Sequence, residues 1–324
     1  MSVGLRIAAT SHVGSVRTGN EDAGLATNHL LLVADGMGGH AAGEVASSIV
    51  ARTVGSLLDE YPTSEDAVRE WLVNGVNLAH ERIGDVVASN PELRGMGTTC
   101  TTLALCDQAV VVGHVGDSRA YRLGLDGLTQ LSIDHTYVQM LVESGEITAE
   151  QATRHPRRNL LMRAIDGVHE APMDLTSYPV EIGQRFLLCS DGLTGVLSDA
   201  VISELLALPD LTLAVSQLIE YSLAAGAPDN VTVVIGEVVE DAEDFSPLYV
   251  GSAETESAPV AEEMAPAKRR HWPWVAAAVL VLGFAALSTS WLAQQWYVGD
   301  HEGKLAIYQG IPQTIGPIPL SRLR

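Results

Sequence analysis

The stretch LLLVADGMGGHAAGE, residues 30–44, decides the fold of this chain. Its first five residues, Leu30–Ala34, are apolar and have the composition of a buried strand. A carboxylate, Asp35, ends this strand, and four glycines and one histidine follow it within nine residues. The pattern predicts a strand that presents an acid at the edge of the core, with few side chains around that acid.

Further motifs place acids beside other predicted strands and turns. They are LCSDG with Asp191, GAPDNVTVV with Asp229, VGDSRAY with Asp117, and RTGNED with Arg17, Glu21 and Asp22. A turn or a helix cap explains any one of these acids, but five such motifs in one domain, counting that of Asp35, indicate a shared site. Carboxylate oxygens with few histidines and no paired cysteines suit Mg²⁺ or Mn²⁺ and not zinc.

The spacing of apolar residues predicts an α+β fold. Helices are expected over Ala41–Leu58, over 65–88 after a Ser64 cap, and over 199–207 and 211–225. Strands are expected over Leu30–Ala34, within 99–123, and over Gln184–Cys189 and 230–239. Two helices in succession, followed by hairpins, favour layered α+β structure over alternating βαβ units.

Composition excludes several classes of protein. The chain has 324 residues, 47% of them hydrophobic, and a formal net charge of −21, which argues against nucleic-acid binding because phosphate contacts need clustered Lys and Arg. Its cysteines, Cys100, Cys106 and Cys189, form no CxxC pair, so neither a disulfide framework nor a zinc knuckle is expected. The amino terminus has no apolar region typical of a secretory signal, which predicts that this part stays in the cytosol.

A late segment of the chain has the composition of a membrane span. Residues 271–299 contain no Asp, Glu, Lys or Arg, which predicts a transmembrane helix over 272–296. Because Lys268–Arg270 precede it, we expect a single-pass plasma-membrane protein with a cytoplasmic N-terminal domain. The Glu, Ala, Pro and Ser content of 241–270 predicts a disordered acidic juxtamembrane linker. Residues 297–324 are expected to be a short extracytoplasmic tail of β-rich or extended character.

The glycines after Asp35 also satisfy a dinucleotide-binding fingerprint. GMGGHA, residues 36–41, matches G-x-G-x-x-A, and Asp59 or Glu60 lies about 20 residues further on. Two features oppose this interpretation: Asp35 would repel a pyrophosphate, and the helix after the loop leads into another helix instead of a parallel strand. Metal chemistry therefore ranks above dinucleotide binding.

Six motifs along residues 5–238 carry a resemblance to a known family. They are RTGNEDA, LVADGMGGHAAGE, GMGTTCTTL, HVGDSRAYRL, CSDGLTG and APDNVTVVI. Together they resemble the motif series of the PPM family, the metal-dependent type 2C Ser/Thr protein phosphatases. With its anchor, the chain is similar to the membrane-bound bacterial, especially actinobacterial, phosphatase that opposes transmembrane Ser/Thr kinases. The resemblance implies an α-β-β-α sandwich of two antiparallel sheets flanked by helices, with the catalytic domain over 1–240.

The resemblance also implies a set of metal ligands. Asp35 would be shared by two Mn²⁺ or Mg²⁺ ions, and the carbonyl oxygen of Gly36 would be a further ligand. Asp191 and Asp229 would complete the ligands of the first ion. Asp117, together with Asp191, matches the family's third and weaker metal position.

Other implied roles concern water and phosphate. Glu21 and Asp22 would hold metal-bound water, and Arg17 matches the arginine that grips the phosphate, for which its planar fork is suited. A hydroxide that bridges the two ions would attack phosphorus in line, without a phosphoenzyme.

The sequence departs from the family at the proposed general acid. Many relatives carry a histidine directly after the Asp–Gly pair, where this chain has Met37. His40 either substitutes as the general acid or only binds backbone, and a metal-bound water is an alternative proton donor, so the acid stays unassigned. Residues 134–166 correspond to the family's flap beside the cleft. Its arginines either recruit acidic phosphopeptides or form a solvated basic face; they are Arg154, Arg157 and Arg158.

The sequence therefore predicts a Mn²⁺- or Mg²⁺-dependent phosphatase with a monomeric catalytic domain. Its expected substrates are phosphorylated Ser/Thr proteins, including transmembrane Ser/Thr kinases and their targets. A cysteine-dependent phosphatase is not expected, because no cysteine of the chain begins a C-x₅-R loop. The alternative is a catalytically silent membrane adaptor of the same family, which binds kinases or phosphoproteins without hydrolysis.

Overall fold

A computed structural model of the chain describes residues 3–38, 42–240, 242, 245–255, 290–291, 294–302, 304–315 and 318–324. Contacts within the chain divide it into two compact units, Met1–Val260 and Ala261–Arg324. The first unit contains all the described residues of the predicted site.

The first unit is built on two sheets. The smaller, in the described residues, has the strand order β1 (Val3–His12), β11 (Val231–Glu240), β10 (Arg185–Cys189), β7 (Arg119–Gly124) and β8 (Gly127–Gln130). The larger has the order β12 (Leu248–Gly251), β2 (Asp22–Ala26), β3 (Leu30–Met37), β5 (Cys100–Cys106), β6 (Ala109–Val115) and β9 (Asp174–Pro179), and β4 (Gly97–Thr98) pairs with β3. Neighbouring strands pair antiparallel, as predicted.

Helices cover the outer face of each sheet. The larger sheet packs against α1 (Ala42–Gly55) and α2 (Glu65–Ser89). The smaller sheet packs against α5 (Asp191–Thr194), α6 (Asp199–Leu206) and α7 (Leu211–Ala224). A third apolar cluster fills the space between the sheets. The layers therefore run helix, sheet, sheet, helix, which confirms the predicted α+β sandwich.

The residue pattern of β3 explains why its sheet is buried on both faces. Leu30, Leu32 and Ala34 belong to the core beneath α1 and α2, whereas Leu31 and Val33 belong to the core between the sheets. Successive side chains of a strand point to opposite faces, so a strand covered on both sides is apolar at every position. The uninterrupted run LLLVA therefore forms a central strand.

The predicted helices are present with shifted ends. The first, expected over Ala41–Leu58, is described from Ala42 to Gly55, and a 3₁₀ turn follows at Leu58–Glu60. The second begins after Ser64 as predicted, although the Ser64 side chain makes no capping hydrogen bond. The two later helices end one residue before their predicted ends.

The predicted flap, 134–166, lies between β8 and β9. It contains two short helices, α3 (Tyr137–Glu143) and α4 (Ala149–Thr153). At its base the Tyr137 N–H donates to the Leu160 carbonyl oxygen at 2.9 Å, which joins the outgoing and returning segments.

The prediction of a disordered linker over 241–270 is wrong where β12 forms. Leu248–Gly251 pairs with β2, and Val250 is buried. The guanidinium carbon of Arg52 lies 4.1 Å from the ring centroid of Tyr249, a cation–π contact that holds the strand against α1. A short apolar run inside an acidic segment therefore extends the folded unit beyond residue 240.

The carboxyl-terminal unit contains an antiparallel sheet of β13 (Trp296–His301), β14 (Lys304–Ile315) and β15 (Ile318–Leu323). This agrees with the expected β-rich character, but Trp296, predicted to end the transmembrane helix, begins a strand. The predicted helix over 272–296 otherwise lies almost entirely outside the described residues. Within the described ranges, no helix combines the length and apolar character needed to cross a membrane.

Truncation of the core between the sheets tests this architecture. Phe186 on β10 is fully buried there, so Phe186→Ala should lower the free energy of unfolding by about 3–5 kcal/mol. Leu213→Ala, on the exposed side of α7, is the control and should change it by less than about 0.5 kcal/mol. Urea unfolding followed by circular dichroism measures both, and equal effects would contradict the assignment of Phe186 to the core.

Candidate active site

The predicted acids lie at the ends of neighbouring strands. In the larger sheet, Asp22 on β2 is directly opposite Asp35 on β3. In the smaller sheet, Asp191 follows the end of β10 and Asp229 precedes the start of β11, the adjacent strand. Antiparallel pairing places the end of one strand beside the start of its neighbour. Residues far apart in the sequence therefore meet at one edge of the sandwich.

The pKa values of Asp22, Asp35 and Asp191 are raised by burial and by the nearness of other carboxylates. Burial, followed by repulsion from Asp22 and Asp191, raises the pKa of Asp35 well above its usual value. Burial, with repulsion from neighbouring carboxylates, also raises the pKa of Asp22 and of Asp117 to about 7 and that of Asp191 to about 6. The cluster holds more negative charge than its surroundings compensate, and a divalent cation would neutralise it.

The chemistry of the donors fits Mg²⁺ or Mn²⁺. The candidate ligands are hard oxygens: the carboxylates of Asp35, Asp191 and Asp229, and the carbonyl oxygen of Gly36. In the described part of the chain, no group of three or more His, Cys, Asp or Glu side chains is spaced to hold a metal ion. Mg²⁺ usually keeps several water ligands and needs only one or two carboxylates, so these oxygens suit it.

Gly36 and Gly43 allow the end of β3 to approach α1 and Glu21. A Cβ atom on Gly36 would strike the carbonyl oxygens of Gly43 and Glu21. A Cβ atom on Gly43 would lie 2.9 Å from the carboxylate of Glu21. The Gly36 N–H donates to the Glu21 carbonyl oxygen at 3.1 Å. Close backbone packing beside Asp35 therefore requires these two glycines of the opening stretch.

Glu21 and Asp22 occupy different environments although they are adjacent. The Glu21 side chain is 16% exposed, and burial raises its pKa. Asp22 is buried, and its Oδ2 accepts a hydrogen bond from Ser190 Oγ at 2.6 Å. Glu21 therefore reaches the surface of the site, whereas Asp22 contributes its charge from the interior.

Arg17 lies at the surface beside the acids. Its Nη2 donates to Asp229 Oδ2 at 2.9 Å, and its Nη1 lies 3.8 Å from Glu21 Oε2. The side chain is 47% exposed. Because a guanidinium has five N–H donors, Asp229 orients Arg17 and leaves donors for an anion from solvent.

Thr98 and Thr99 hold the backbone of Asp35, a role that sequence reasoning missed. The Asp35 N–H donates to Thr99 Oγ1 at 2.9 Å, and Thr98 Oγ1 donates to the Asp35 carbonyl oxygen at 3.0 Å. Thr99 Oγ1 also lies 2.8 Å from Ser118 Oγ, in the turn that carries Asp117. Their signal was the hydroxyl-rich GMGTTCTTL motif, to which no role had been assigned.

Asn230 is a second residue that the sequence did not reveal. Its Nδ2 donates to the carbonyl oxygens of Val13 and Gly19, both at 2.9 Å, and its Oδ1 accepts from the Glu21 N–H at 2.7 Å. The side chain thus joins the loop before β2 to the start of β11, directly after Asp229. Its position in APDNVTVVI was the available signal.

The remaining predicted residues do not belong to this acidic cluster as described. His40 lies outside the described residues, and Met37 ends β3. The flap arginines are exposed; they are Arg154, Arg157 and Arg158. The guanidinium of Arg157 lies 5.7 Å from the centroid of the Tyr137 ring.

Comparisons with known proteins agree with this geometry. A family profile described as protein phosphatase 2C matches residues 12–226. The serine/threonine protein phosphatase PstP of Mycobacterium tuberculosis is 38% identical over 342 aligned positions, which cover 96% of this chain and 66% of that protein. The chain thus spans just under two thirds of the length of that relative.

One further relative and one solved structure each cover more than two thirds of this chain. The serine/threonine phosphatase stp of Listeria innocua is 34% identical over 232 positions, 69% of this chain and 92% of that protein. A crystal structure of the PstP catalytic domain in complex with two manganese ions matches with a TM-score of 0.69 and 43% identity, covering 74% of this chain and 100% of that one. On the family profile and these relatives, the chain belongs to the protein phosphatase 2C family.

Proposed function

We propose that this chain is a Mn²⁺- or Mg²⁺-dependent phosphatase that hydrolyses phosphoserine and phosphothreonine in proteins. The observation that carries the proposal is that Asp22, Asp35, Asp191 and Asp229 lie at neighbouring strand ends, with an exposed arginine at the border of the cluster. Uncompensated acids provide ligands for cations, and the arginine provides a contact for phosphate. The relatives named as Ser/Thr phosphatases support the same activity.

Two divalent cations suit this cluster. Asp35 would be shared by both, the Gly36 carbonyl oxygen would be a further ligand, Asp191 and Asp229 would complete one of them, and Asp117 would take part in a third and weaker position. When bound, such ions lower the pKa of their bound water toward neutrality and offset the charge of a phosphoryl group. The chain contributes the fixed positions of these oxygens.

Arg17 would bind the phosphate group of the substrate. Its planar guanidinium offers two parallel N–H donors to phosphoryl oxygens. The hydrogen bond to Asp229 sets the orientation of that plane before the substrate arrives. As the bond to the leaving oxygen lengthens, the guanidinium stabilises charge on the phosphoryl oxygens. Met37 cannot donate a proton to that oxygen, which leaves His40 as the candidate donor in this loop.

The proposal extends to substrates and location. Arg154, Arg157 and Arg158 are exposed on the flap and would attract acidic phosphopeptides. The uncharged span over 272–296, with basic residues before it, supports a plasma-membrane protein whose catalytic unit faces the cytoplasm. Transmembrane Ser/Thr kinases and their targets are substrates that such a location would bring within reach.

Replacement of Asp35 tests the metal-dependent activity. Asp35→Asn should reduce Mn²⁺-dependent turnover of p-nitrophenyl phosphate by more than about 100-fold, because loss of an indirect partner of a ligand alone costs about 10–100-fold. The raised pKa means that ionised Asp35 destabilises the metal-free fold at pH 7, so the variant should melt higher than wild type in EDTA. Thermal melting and colorimetric assays measure both effects.

Asp66→Asn, on the exposed face of α2, is the matched control and should change neither the turnover nor the melting temperature. Turnover that persists in EDTA, or in the Asp35 variant, would contradict the proposal. If wild type with Mn²⁺ hydrolyses nothing yet binds phosphoproteins, the chain is the silent adaptor.

A conservative change at Arg17 tests phosphate binding. Arg17→Lys keeps the charge and loses the bidentate fork, so the KM for p-nitrophenyl phosphate should rise by about 10-fold, the equivalent of one charged hydrogen bond. Arg6→Lys, at another exposed arginine that pairs with a carboxylate, Glu237, is the control. An unchanged KM in Arg17→Lys would remove Arg17 from the phosphate site.

Membrane attachment is tested by cell fractionation. A chain truncated after residue 270 keeps the compact first unit and loses the uncharged span. It should be recovered in the soluble fraction, whereas the full chain should sediment with membranes. Equal partition of the two proteins would end the anchor proposal.

A further inference from the structure

A polar cluster connects the base of the flap to the turn that carries Asp117. Its members are His114 on β6, His135 at the start of the flap, Arg163 at its end and Asp174 on β9. The rings of His114 and His135 are 4.8 Å apart between centroids. No step of the proposed reaction uses these residues.

His135 and Gly116 are joined by two hydrogen bonds. The His135 N–H donates to the Gly116 carbonyl oxygen at 2.7 Å, and the Gly116 N–H donates to Nδ1 of the His135 ring at 3.0 Å. Gly116 has φ +111°, a conformation that favours glycine, and a Cβ atom there would strike the side chain of Thr99. The residue directly before Asp117 is therefore held in an unusual conformation by the flap.

The hydrogen bonds determine the tautomer of His135. Because the Gly116 N–H points at Nδ1, we assign the proton of the neutral ring to Nε2, which donates to Asp174 Oδ2 at 3.0 Å. Arg163 Nη1 lies 3.1 Å from the same Nε2 and, as a donor, pairs with Asp174 instead. Arg163 Nη1 donates to the other oxygen of Asp174 at 2.6 Å, which fixes the carboxylate. Burial lowers the pKa of His135, which keeps the ring neutral and Nδ1 free to accept.

The far side of the turn is held separately. Thr101 Oγ1 donates its single proton to the Ser118 carbonyl oxygen at 2.9 Å, so it accepts from Nδ1 of His114, 3.0 Å away. Gly116 and Ser118 are thus both anchored, with Asp117 between them. Of these two anchors, the one at Gly116 comes from the flap, and a second flap residue, Asp134, binds Arg119 just after the turn through both carboxylate oxygens.

The returning segment of the flap meets the same residue. The Met162 N–H donates to the His135 carbonyl oxygen at 2.8 Å. His135 is therefore bonded through its main chain to the other flap segment and through both main chain and ring to the Asp117 turn. A change in the position of the flap base would move that turn.

We propose that His135 is a positioning residue, which sets the Asp117 turn and couples it to the flap, with Asp174 and Arg163 holding the ring in the required tautomer. This inference rests on the proposed function, in which Asp117 takes part in the weaker cation position. The position of Asp117 depends directly on the acceptor at Nδ1, whereas the far nitrogen acts only by fixing the tautomer of the ring.

Two substitutions at His135 separate these properties. In His135→Asn the Oδ1 atom takes the place of Nδ1 and keeps the acceptor for Gly116. In His135→Gln the amide nitrogen takes the place of Nε2 and keeps the donor to Asp174, but the acceptor for Gly116 is lost. His169→Gln, at an exposed His–Asp pair with Asp166, is the control.

Mn²⁺ titration of the full chain provides the first measurement. His135→Gln should raise the Mn²⁺ concentration for half-maximal turnover of p-nitrophenyl phosphate by about 10–100-fold, the usual effect of losing a partner that orients a ligand. His135→Asn and His169→Gln should resemble wild type. Calorimetric titration with Mn²⁺ should show the same weakening without reference to turnover.

Hydrogen exchange measures the anchor directly. The Gly116 amide, in a peptide spanning 114–119, should exchange faster in His135→Gln than in wild type or His135→Asn. If the His135 variants unfold, Asp174→Ala serves instead, because the Asp174 side chain is 57% exposed and its removal releases the ring together with the Arg163 guanidinium. Asp174→Ala should raise the half-maximal Mn²⁺ concentration and the Gly116 exchange rate, as His135→Gln does, but by a smaller factor.

Equal Mn²⁺ titrations for His135→Asn and His135→Gln, whether both normal or both weakened, would overturn the positioning role while the phosphatase assignment stands. An inactive wild-type chain would overturn the proposed function instead. The exchange rate of Gly116 and the calorimetric titration still decide the role of His135 in that case.

Discussion

Carboxylates that are buried at the strand ends, and that repel one another there, govern the other features of this structure. Burial, together with repulsion from neighbouring carboxylates, raises the pKa of Asp22, Asp35 and Asp191, so bringing these acids together opposes folding when no cation is present. The opposing free energy comes from apolar cores on both faces of the larger sheet and beneath the helices of the smaller one. A fold with three apolar clusters can hold an acidic edge that a smaller domain could not.

The residues that hold the acids in place are mostly neutral. Thr98, Thr99, Ser190 and Asn230 use hydroxyl and amide groups to fix the backbone or a carboxylate oxygen. Lysine or arginine in these positions would neutralise the cluster and compete with a cation. Neutral donors give the same geometric control and leave the charge available. The exposed Arg17 is placed at the border, where it can pair with Asp229 and still meet an anion.

Local signals in the sequence were sufficient for the acids and for most of the fold. Asp35 and Asp191 each follow an apolar strand and precede a glycine, a pattern visible within a few residues. The helices repeat their apolar residues over several turns, so their existence was predictable and only their ends shifted. The order of the motifs carried the family resemblance, and the resemblance implied the sandwich.

What sequence reasoning missed depends on partners far along the chain. Thr98 looks like any strand hydroxyl until Asp35, 63 residues away, becomes its neighbour. Leu248–Gly251 is too short and too acidic in its surroundings to be predicted as a strand, and its partner is β2 near the other end of the unit. His135 could not be singled out from the sequence, since its role depends on its hydrogen bonds to Gly116.

Strand β12 shows how this architecture connects the outgoing chain to the site. The Ser252 N–H, just after β12, donates to the Asp22 carbonyl oxygen at 2.7 Å. Ser47 on α1 donates to the Glu21 carbonyl oxygen at 2.5 Å, so the Ser252 hydroxyl, 2.9 Å away, is the donor between the two serines. The two serines thus bind the carbonyl oxygens of Asp22 and Glu21, whose side chains belong to the acidic edge. The segment that leaves the domain therefore supports Glu21 and Asp22 without contributing a charge to them, which is the same solution that the threonines provide for Asp35.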